Sequence, residues 1–443
     1  MINMTGFGVE SALGKFDIVR RRDVFAGSLA LGGLAAGRAL ASDPTGAGLP
    51  AGSGAGAKAT GESERTALPG TIPPLVPIRA HVDQIVDIKV CLRPFRPMGP
   101  RLDVERIGDK LVVHNYGHGG SGWSLSWGSA EIAVGKALTA LPRQVAVIGC
   151  GIVGLTSALV AQRAGLDVTI YTKDMLPHTR SVRANGSWTP DSRIALTTPA
   201  GPEFGDLWER MARYSWKSYR DYLGLPGNPI EFRDSYILSD KPFGSTQEFA
   251  STGPGDYASN GMPRSASEFA HYSDRIRDVI PAAEVIAGHD NPFPAAYAKR
   301  EAVMIFNFGG YGHLLLSEFY QAGGKVVIRE FHTPADLKGL KEKVVINCPG
   351  LAARDWWSDK TLIPVRGQTA WLPPQPDVKY GVRYNGVSAL SKSDGILIQG
   401  FNASGLGEMD GVGNSFEHAD RVEAENAVTT IGGLFSRFSP RRG

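Results

Sequence analysis

Residues 144–171 carry a glycine pattern that can bind the phosphates of a dinucleotide. A short apolar strand is predicted at Gln144–Ile148, and the glycine-rich turn Gly149–Gly154 follows it directly. A helix-like stretch, Leu155–Ala164, and a second strand, Val168–Tyr171, come next. Strand, G-x-G-x-x-G turn, helix and strand in this order are typical of a βαβ unit that binds FAD or NAD.

Each glycine of the turn has a physical reason to be there. Gly149 allows the tight turn, Gly151 lets the backbone approach a pyrophosphate, and Gly154 lets the helix pack against the strand. The first N–H groups of the helix, at Ile152 and Val153, have no partner inside the helix and lie at the positive end of its dipole. We therefore expect these residues to bind phosphate.

The contact with the adenosine ribose is less well defined. In dinucleotide-binding βαβ units, an acidic side chain usually stands at the end of the second strand. Here Lys173 and Asp174 follow that strand. Either Asp174, one place late, accepts the ribose hydroxyls, or Lys173 contacts a phosphate or a ribose hydroxyl.

A polar segment at 177–190 reads Pro-His-Thr-Arg-Ser-Val-Arg-Ala-Asn-Gly-Ser-Trp-Thr-Pro. It resembles the segment that follows the second strand in the D-amino-acid oxidase family. The resemblance implies that the cofactor is FAD. It also implies pyrophosphate contacts at Thr179, Arg180 and Ser181 and isoalloxazine contacts at Asn185, Gly186 and Ser187.

Two further motifs that resemble this family lie before the glycine turn. Arg93-Pro-Phe-Arg96 resembles its substrate-binding strand, and residues 114–120, His-Asn-Tyr-Gly-His-Gly-Gly, resemble its flavin-binding loop. The resemblance implies that the guanidinium fork of Arg93 binds the substrate carboxylate. Gly120 would offer its backbone carbonyl to the substrate amine. The other flavin contacts implied in and after this loop are Gly119, Gly122, Trp123 and Ser124.

The order of these motifs differs from that of the family. There, the substrate arginine and the flavin loop lie near the C-terminus, whereas here they precede the glycine turn and have no second copy. We interpret the sequence as a circular permutation. Leu125–Ala140 would then be the family's last helix, Leu141–Arg143 would join it to the first strand, and Phe435–Gly443 would form a new tail. Such a permutation is tolerated when the termini of a domain lie close together.

The resemblance extends over roughly residues 91–402. Residues 344–350 resemble the family's N-C-x-G turn, and Pro364–Gln368 resembles its R-G-Q motif. Phe331 matches a position that meets adenine through its backbone. Trp356 and Trp357 are expected to pack between domains rather than to bind a ligand.

The family also has a pair of active-site tyrosines on a lid strand. Tyr384 matches the first, so we expect it to contact substrate, but the second position holds Ser388. The loss could weaken substrate binding or change the substrate, and Tyr380 is a candidate replacement. We expect His114 and His118 to be structural, because hydride transfer from a neutral amine needs no base.

Composition limits the classes of protein and of partner. A formal net charge of +3, without Lys/Arg runs, argues against nucleic acid or a membrane surface as partner. Three cysteines, Cys91, Cys150 and Cys348, are too few for a disulfide framework and lack zinc-site spacing. We expect buried thiols and no metal, although one disulfide stays open. The expected partners are a small amino acid and oxygen, and a homodimer stays open.

The N-terminus has the features of an export signal. Arg20-Arg21-Arg22 precedes a weakly apolar stretch, Val24–Gly37, and Ala39-Leu40-Ala41 offers an A-x-A cleavage site. The paired arginines resemble a twin-arginine signal, which predicts a periplasmic or extracellular protein without a stable membrane anchor. An amphipathic or buried N-terminal helix is the alternative. The following residues, rich in Gly, Ala, Ser, Thr and Pro, predict a flexible linker.

Together these features predict an α/β protein. A Rossmann-like FAD-binding domain with a parallel sheet would be interleaved with a mixed-sheet substrate domain. The expected segments are the signal (1–41), the linker (42–75), the permuted segment (76–142), the first part of the FAD domain (143–200), the substrate domain (201–310), the return to the FAD domain (311–360), and the second substrate part with the tail (361–443).

The resemblance implies oxidative deamination of a D-amino acid to a 2-oxo acid, ammonia and hydrogen peroxide. An oxidase of glycine, sarcosine or another secondary amino acid is one alternative, motivated by Ser388. A flavin-binding but inactive protein is the other, motivated by Lys173, Ser388 and the unusual motif order.

Overall fold

The computed structural model describes residues 72, 75–243, 262–401 and 407–437. The expected export signal lies outside the described residues, and so does the linker apart from Ile72 and Leu75. Strands are numbered along the chain as β1 (Asp87–Phe95), β2 (Val104–Ile107), β3 (Lys110–His114), β4 (Gln144–Ile148), β5 (Asp167–Thr172), β6 (Ile230–Ser239), β7 (Glu284–Ile286), β8 (Tyr297–Phe306), β9 (Lys325–Ile328), β10 (Val344–Asn347), β11 (Ile363–Leu372), β12 (Tyr380–Tyr384), β13 (Val387–Lys392) and β14 (Gly395–Gly400). Helices are α1 (Gly122–Leu138), α2 (Ile152–Arg163), α3 (Thr197–Ala200), α4 (Phe204–Arg220), α5 (Phe308–Gln321), α6 (Ala353–Trp356) and α7 (Arg421–Ser436).

The first sheet has six strands in the order β2-β3-β10-β4-β5-β9. The strands from β3 to β9 in this order pair in parallel, and β2 pairs antiparallel with β3 at one edge. Every residue of β10 is buried, as are all residues of β4 after Gln144. Strands covered on both faces need such continuous apolar runs, which explains their Val- and Ile-rich sequences.

Helices α1, α2 and α5 cover this sheet. Their side chains share one hydrophobic cluster with β4, in which Val145 and Val147 pack with Leu125, Leu155 and others. Helix α2 begins at Ile152, three residues before the predicted stretch, because Gly151 already adopts the extended conformation of an N-cap. The predicted βαβ unit is therefore confirmed, with its helix starting inside the glycine turn.

The second sheet has eight strands in the order β1-β11-β14-β13-β12-β6-β8-β7. All neighbours pair antiparallel except β12 and β6, so the sheet is mixed. Helix α7 packs against it through Val428, Ile431 and Leu434. A mostly parallel first sheet and a mixed second sheet confirm the expected α/β class.

The segment before the glycine turn contributes to both sheets. Strand β1 lies at an edge of the second sheet, whereas β3 lies inside the first. Isolated bridges between Phe95 and His118 and between Arg101 and Tyr116 tie the end of β1 to the loop after β3. This segment thus brings the predicted substrate strand next to the predicted flavin loop.

The two ends of the described chain meet on the second sheet. Ile78 and Ala80 share a hydrophobic cluster with Leu434 and Phe435 of α7. At Gly432, an ideal β carbon would lie 2.5 Å from the carbonyl oxygen of Ala80. The first residues of the described chain therefore run closely past the end of the last helix.

Two features, a membrane-spanning helix and a metal-binding cluster, are absent from the residues that the structure describes. No helix among them is long and apolar enough to cross a bilayer, and no group of three or more His, Cys, Asp or Glu side chains among them could hold a metal ion. All three cysteines, in contrast, are described, and each is free and buried, as the sequence predicts.

Candidate active site

A cavity of about 1170 Å³ opens where the two sheets meet. The carboxyl ends of β4, β5 and β10 line one part of it, and β1, β12, β13 and β14 line another. In open α/β sheets, ligands bind outside the carboxyl ends of the parallel strands. This cavity lies at that position. Its volume exceeds the roughly 300–1,000 Å³ of ordinary small-molecule sites, which suits a ligand of dinucleotide size.

The glycine turn packs so tightly that side chains are excluded. Gly149 has a φ of 97°, in the left-handed region. An ideal β carbon at Gly154 would lie 2.0 Å from the carbonyl oxygen of Gly149. The predicted roles of these two glycines, the tight turn and the close approach of helix and strand, are therefore met.

The segment after β5 folds back onto the start of α2. The backbone N–H of Ile152 donates to Oγ of Ser181 over 3.0 Å, and the same hydroxyl would lie 2.9 Å from a β carbon at Gly151. Thr179 also lines the cavity, and its buried hydroxyl has no hydrogen-bond partner in the described part of the chain. An unsatisfied buried hydroxyl that lines a cavity is suited to an oxygen of an anionic ligand such as a phosphate.

Aromatic and charged residues line the other end of the cavity. Phe331 and Trp356 lie with ring centroids 5.6 Å apart, and the guanidinium of Arg329 lies 4.9 Å from the centre of the Phe331 ring. Lys173, one of the two candidates for the ribose contact, pairs with Glu330 over 2.8 Å. Trp356 packs in a hydrophobic cluster with Phe331, as expected, and it also lines the cavity. Glu330 is a further carboxylate there that the sequence did not reveal.

Arg93 lines the cavity from β1. Its Nη1 donates to the carbonyl oxygen of Arg366 over 3.3 Å. No carboxylate lies within ion-pair distance of Arg93 among the described residues. Because an unpaired guanidinium in a cavity favours an anionic ligand, this geometry agrees with the predicted carboxylate-binding role.

The glycine loop is fastened to a neighbouring turn. The N–H of Gly120 donates to the carbonyl oxygen of Ser192 over 3.0 Å, and so does the hydroxyl of Ser121. At Gly119, with a φ of 55°, an ideal β carbon would lie 1.8 Å from the carbonyl oxygen of Arg193. This close approach requires glycine at that position.

Most residues singled out from the sequence line this one cavity. They are Arg93, Gly119, Gly120, Gly122, Trp123, Gly149, Gly151, Ile152, Val153, Gly154, Lys173, Asp174, Thr179, Arg180, Ser181, Asn185, Ser187 and Phe331. Strands and loops far apart in the chain therefore converge as the resemblance implies.

Two predicted flavin contacts lie behind the cavity wall. Ser124 accepts a hydrogen bond from the N–H of Thr189 over 2.7 Å, and the carbonyl of Gly186 accepts one from Phe306 over 2.8 Å. Neither Ser124 nor Gly186 lines the cavity. Both therefore support the turn that presents Asn185 rather than facing a ligand themselves.

Tyr384 requires a correction. Its hydroxyl donates to Asp240 over 2.7 Å and accepts from Arg437 over 2.8 Å, and the residue does not line the cavity. Alternation along the strands explains this, because neighbouring residues point to opposite faces. Arg383 and Ser388, which are paired across β12 and β13, line the cavity instead. Tyr380 also points away and donates to the carbonyl of Val76.

Arg180 has a partner that the sequence did not predict. It forms two hydrogen bonds of 2.6 Å with the carboxylate of Glu417, and Arg183 pairs with the same carboxylate over 3.0 Å. Glu417 and the arginines line the cavity. Arg180 therefore meets a carboxylate from the segment before α7.

The two histidines of the glycine loop are buried. Burial lowers the pKa of His118 to about 3 and that of His114 to about 4. Both are therefore neutral near pH 7. His114 also bonds Asn347 over 3.1 Å and packs 4.8 Å from the ring of Trp357, which agrees with the expected structural role.

Residues 144–430 match the model of the FAD dependent oxidoreductase family. The chain belongs to this family. Its cofactor is accordingly FAD. The matched range covers the glycine turn, β12–β14 and most of α7.

Individual relatives of this FAD-dependent oxidoreductase are more distant. A D-amino-acid oxidase of Dictyostelium discoideum is 25% identical over 229 residues, which are 50% of this chain and 55% of the relative. A D-aspartate oxidase of Talaromyces thermophilus is 50% identical over 56 residues, 11% of this chain and 15% of the relative. The chain thus spans about half the length of the first relative and less of the second.

Among solved structures, an iminodiacetate oxidase from Chelativorans sp. BNC1 superposes with a TM-score of 0.44. It is 15% identical and covers 66% of this chain and 79% of its own.

The cavity of this family member fits FAD. The N–H of Val153 in the first turn of α2 and the unsatisfied hydroxyl of Thr179 can donate to a pyrophosphate, whereas the N–H of Ile152 already donates to Ser181. Phe331 and Trp356 provide apolar surface for an adenine. The glycine loop, where a β carbon at Gly119 has no room, lets backbone groups approach a flat ring.

Proposed function

We propose that this chain is an FAD-dependent oxidase that deaminates a D-amino acid to a 2-oxo acid, ammonia and hydrogen peroxide. The observation that carries the proposal is Arg93. Its guanidinium lines the same cavity as the dinucleotide turn and the glycine loop and has no carboxylate partner among the described residues. A guanidinium without a carboxylate partner in this position can bind the α-carboxylate of an amino acid.

The protein's own part in the reaction is binding and orientation. Arg93 would hold the α-carboxylate through two parallel hydrogen bonds, and the carbonyl of Gly120 would accept one from the amine. Val303 and Leu390 line the same cavity and would shield the reacting carbon from water. Because burial lowers the pKa values of His114 and His118, both are weak bases, and the amine would lose its proton to solvent before the reaction.

When bound, FAD would supply a two-electron acceptor for the hydride of the Cα–H bond and would return both electrons to O₂, which with the proton of that hydride and one from the substrate iminium would give hydrogen peroxide. The nitrogen lone pair forms the C=N bond as the hydride leaves. Water then adds to the imine, which releases ammonia and leaves the 2-oxo acid.

The test uses purified protein reconstituted with FAD. Under anaerobic conditions, a D-amino acid should bleach the visible flavin absorption, and admission of air should restore it with one hydrogen peroxide per turnover. The Arg93→Gln variant should bind FAD but need about 10–100 times more substrate for the same rate. A flavin that no D-amino acid reduces would overturn the proposal.

A second candidate is the oxidation of glycine, sarcosine or another secondary amino acid. The observation that favours it is the absence of Tyr384 and Tyr380 from the cavity, where Ser388 stands instead. Without a bulky phenol, the site has room for a substituent on nitrogen. Anaerobic reduction by sarcosine and glycine, faster than by D-Ala, would support this candidate. Bound FAD without reduction by any of these would instead support an inactive flavin-binding protein.

We also propose that the protein is exported by a twin-arginine route to the periplasm or beyond. The support is the order of Arg20-Arg21-Arg22, the weakly apolar stretch and the A-x-A site. Replacing Arg21 and Arg22 by Lys should leave the protein in the cytoplasm in cell fractionation. Export that persists after this replacement would contradict the proposal.

The circular permutation is a proposal as well. Its support is the contact of the two ends of the described chain, where Ala80 lies against Gly432 of α7. A short surface connection, in which Leu141 is 90% exposed, joins α1 to β4. A rearranged protein with residue 437 joined to residue 75 and the chain opened at Leu141 should fold and bind FAD. Failure to recover soluble flavoprotein would count against it.

A further inference from the structure

Arg193 is a second guanidinium in the cavity. Its backbone is fastened to the glycine loop, because the carbonyl of Ser192 accepts from the N–H of Gly120 and the carbonyl of Arg193 itself abuts Gly119. Arg193 has a φ of 48°, an uncommon conformation for a residue with a side chain. The surrounding contacts therefore hold it in this position.

The side chain of Arg193 has few partners. Its Nε donates to the carbonyl oxygen of Glu408 over 2.7 Å. The two terminal nitrogens form no hydrogen bond or ion pair with any residue that the structure describes. Two effects lower the pKa of Arg193 to about 10: burial, which is the larger, and the nearby positive charge of Arg93. Arg193 therefore stays cationic at neutral pH.

Arg93 and Arg193 differ from the arginines around them. Arg183 pairs with Glu417, and Arg383 pairs with Glu301 over 2.6 Å. Arg93 and Arg193, in contrast, line the cavity without an ion pair among the described residues. The charge of Arg93 is close enough to lower the pKa of Arg193.

Among the described residues, the acidic side chains near Arg193 do not pair with its guanidinium, which leaves it able to bind an anionic ligand. The carboxylate of Glu408 lies 3.5 Å from the imidazole of His271, outside ion-pair distance of Arg193. Burial raises the pKa of Glu408, which favours its neutral form. Glu408 and then Asp410 act to raise the pKa of Arg193, but their effects are smaller than those of burial and of Arg93.

An amino acid with one carboxylate would satisfy only one of the two guanidinium groups. Leaving the other desolvated and unpaired is unfavourable, whereas a second carboxylate would offer it two strong hydrogen bonds. Resting on the proposed function, we propose that the substrate is an amino acid with two carboxylates. Arg93 binds the α-carboxylate and Arg193 binds the second one.

The kinetic test compares substrates within one variant. The ratio of kcat/KM for D-Asp, or for D-Glu, to that for D-Ala should fall about 10–100-fold in Arg193→Gln, because a charged hydrogen-bond partner is lost. Arg210→Gln is the matched control, since Arg210 is an exposed arginine of α4 that pairs with Glu131. Its ratio should equal that of the unchanged protein. Comparing D-Asp, D-Glu and iminodiacetate shows which spacing of carboxylates fits.

A binding test needs no turnover. Succinate and propionate lack an amine, so they can occupy the cavity without reacting and should perturb the flavin spectrum. In Arg193→Gln the Kd of succinate should rise about 10–100-fold, and that of propionate less than about threefold. The FAD content and Kd of the variant are measured in parallel.

The outcomes separate the two proposals. If D-Ala is oxidised and Arg193→Gln leaves both the substrate ratio and the succinate Kd unchanged, the assignment of Arg193 is wrong while the oxidase stands. If Arg193→Gln weakens the binding of FAD but not that of succinate, Arg193 contacts the cofactor, which also overturns the inference. If no amino acid reduces the flavin, the proposed function fails, and succinate binding alone then decides whether Arg193 binds a second carboxylate.

Discussion

The guanidinium of Arg93 occupies space that a side chain at Gly367 would need. An ideal β carbon at Gly367 would lie 2.4 Å from Nη2 and 2.6 Å from Nη1 of Arg93. The two residues stand on neighbouring antiparallel strands, where Gly367 pairs with Cys91. The glycine of the R-G-Q motif therefore makes room for the arginine of the substrate strand.

This relationship predicts the effect of Gly367→Ala. The colliding atoms belong to the end of a flexible side chain, so Arg93 can move aside and the protein should still fold and bind FAD. Displacing the fork should raise KM for the amino acid, with a loss in kcat/KM of about 10–100-fold. Steady-state kinetics measures this effect. In an Arg93→Ala background the same change should add almost nothing, and a full additional loss would show that Gly367 acts in some other way.

Gly154→Ala should have a different outcome, because its β carbon would lie 2.0 Å from a backbone oxygen that cannot rotate away. Helix and strand must separate, so we expect a loss of about 1–3 kcal/mol in the free energy of unfolding together with a loss of FAD. Chemical denaturation and flavin content measure both effects. Gly135→Ala is the control, since nothing lies within 4 Å of its β carbon. If both variants behave alike, the packing argument fails.

Thr179→Val should separate stability from cofactor binding. The buried hydroxyl of Thr179 has no partner within the described chain, and removing it should stabilise the protein without FAD by about 1 kcal/mol. The same change should raise the Kd of FAD about tenfold if the hydroxyl donates to a phosphate oxygen. Thermal unfolding without FAD and a flavin titration measure the two effects. Thr429→Val, at an exposed site of α7, should change neither.

Lys392 predicts a pH-dependent stability. Its side chain is buried without a hydrogen bond in the described residues, 4.2 Å from the ring centre of Phe308. Burial lowers its pKa from 10.5 to about 8, while Asp394 and Glu231 act to raise it and Lys89 acts to lower it.

The sign follows from the proton count. Between about pH 8 and pH 10.5 the unfolded chain holds a proton on Lys392 that the folded chain lacks, so the stability should rise with pH across this window. Lys392→Met should be more stable by about 3 kcal/mol near pH 7 and should lose this rise. Denaturant unfolding at pH 7, 8, 9 and 10 measures it. Lys379→Met, at an exposed position, should keep the rise, and a rise that survives in Lys392→Met would contradict the argument.

Local patterns predicted the nucleotide-binding half in detail. Strand β4 has the predicted bounds, and β5 extends the predicted strand by one residue at each end. These elements are set by apolar runs and by glycine conformations, which depend on neighbours in the chain. Between 204 and 302 the sequence shows only helix-like and strand-like fragments, and the structure has α4, β6, β7 and most of β8 in the described part of that range. Their partners lie far along the chain, so no local pattern could define them.

The sequence by itself determined that a glycine turn, a substrate arginine and a glycine loop exist, because each depends on residue type and short spacing. Only the tertiary structure decided which other side chains share their cavity. It turned Tyr384 away and brought Arg383 and Arg193 into the cavity that Arg93 lines. The physical reason is that strand register and long-range packing set the direction of a side chain, and both arise from contacts between residues hundreds of positions apart.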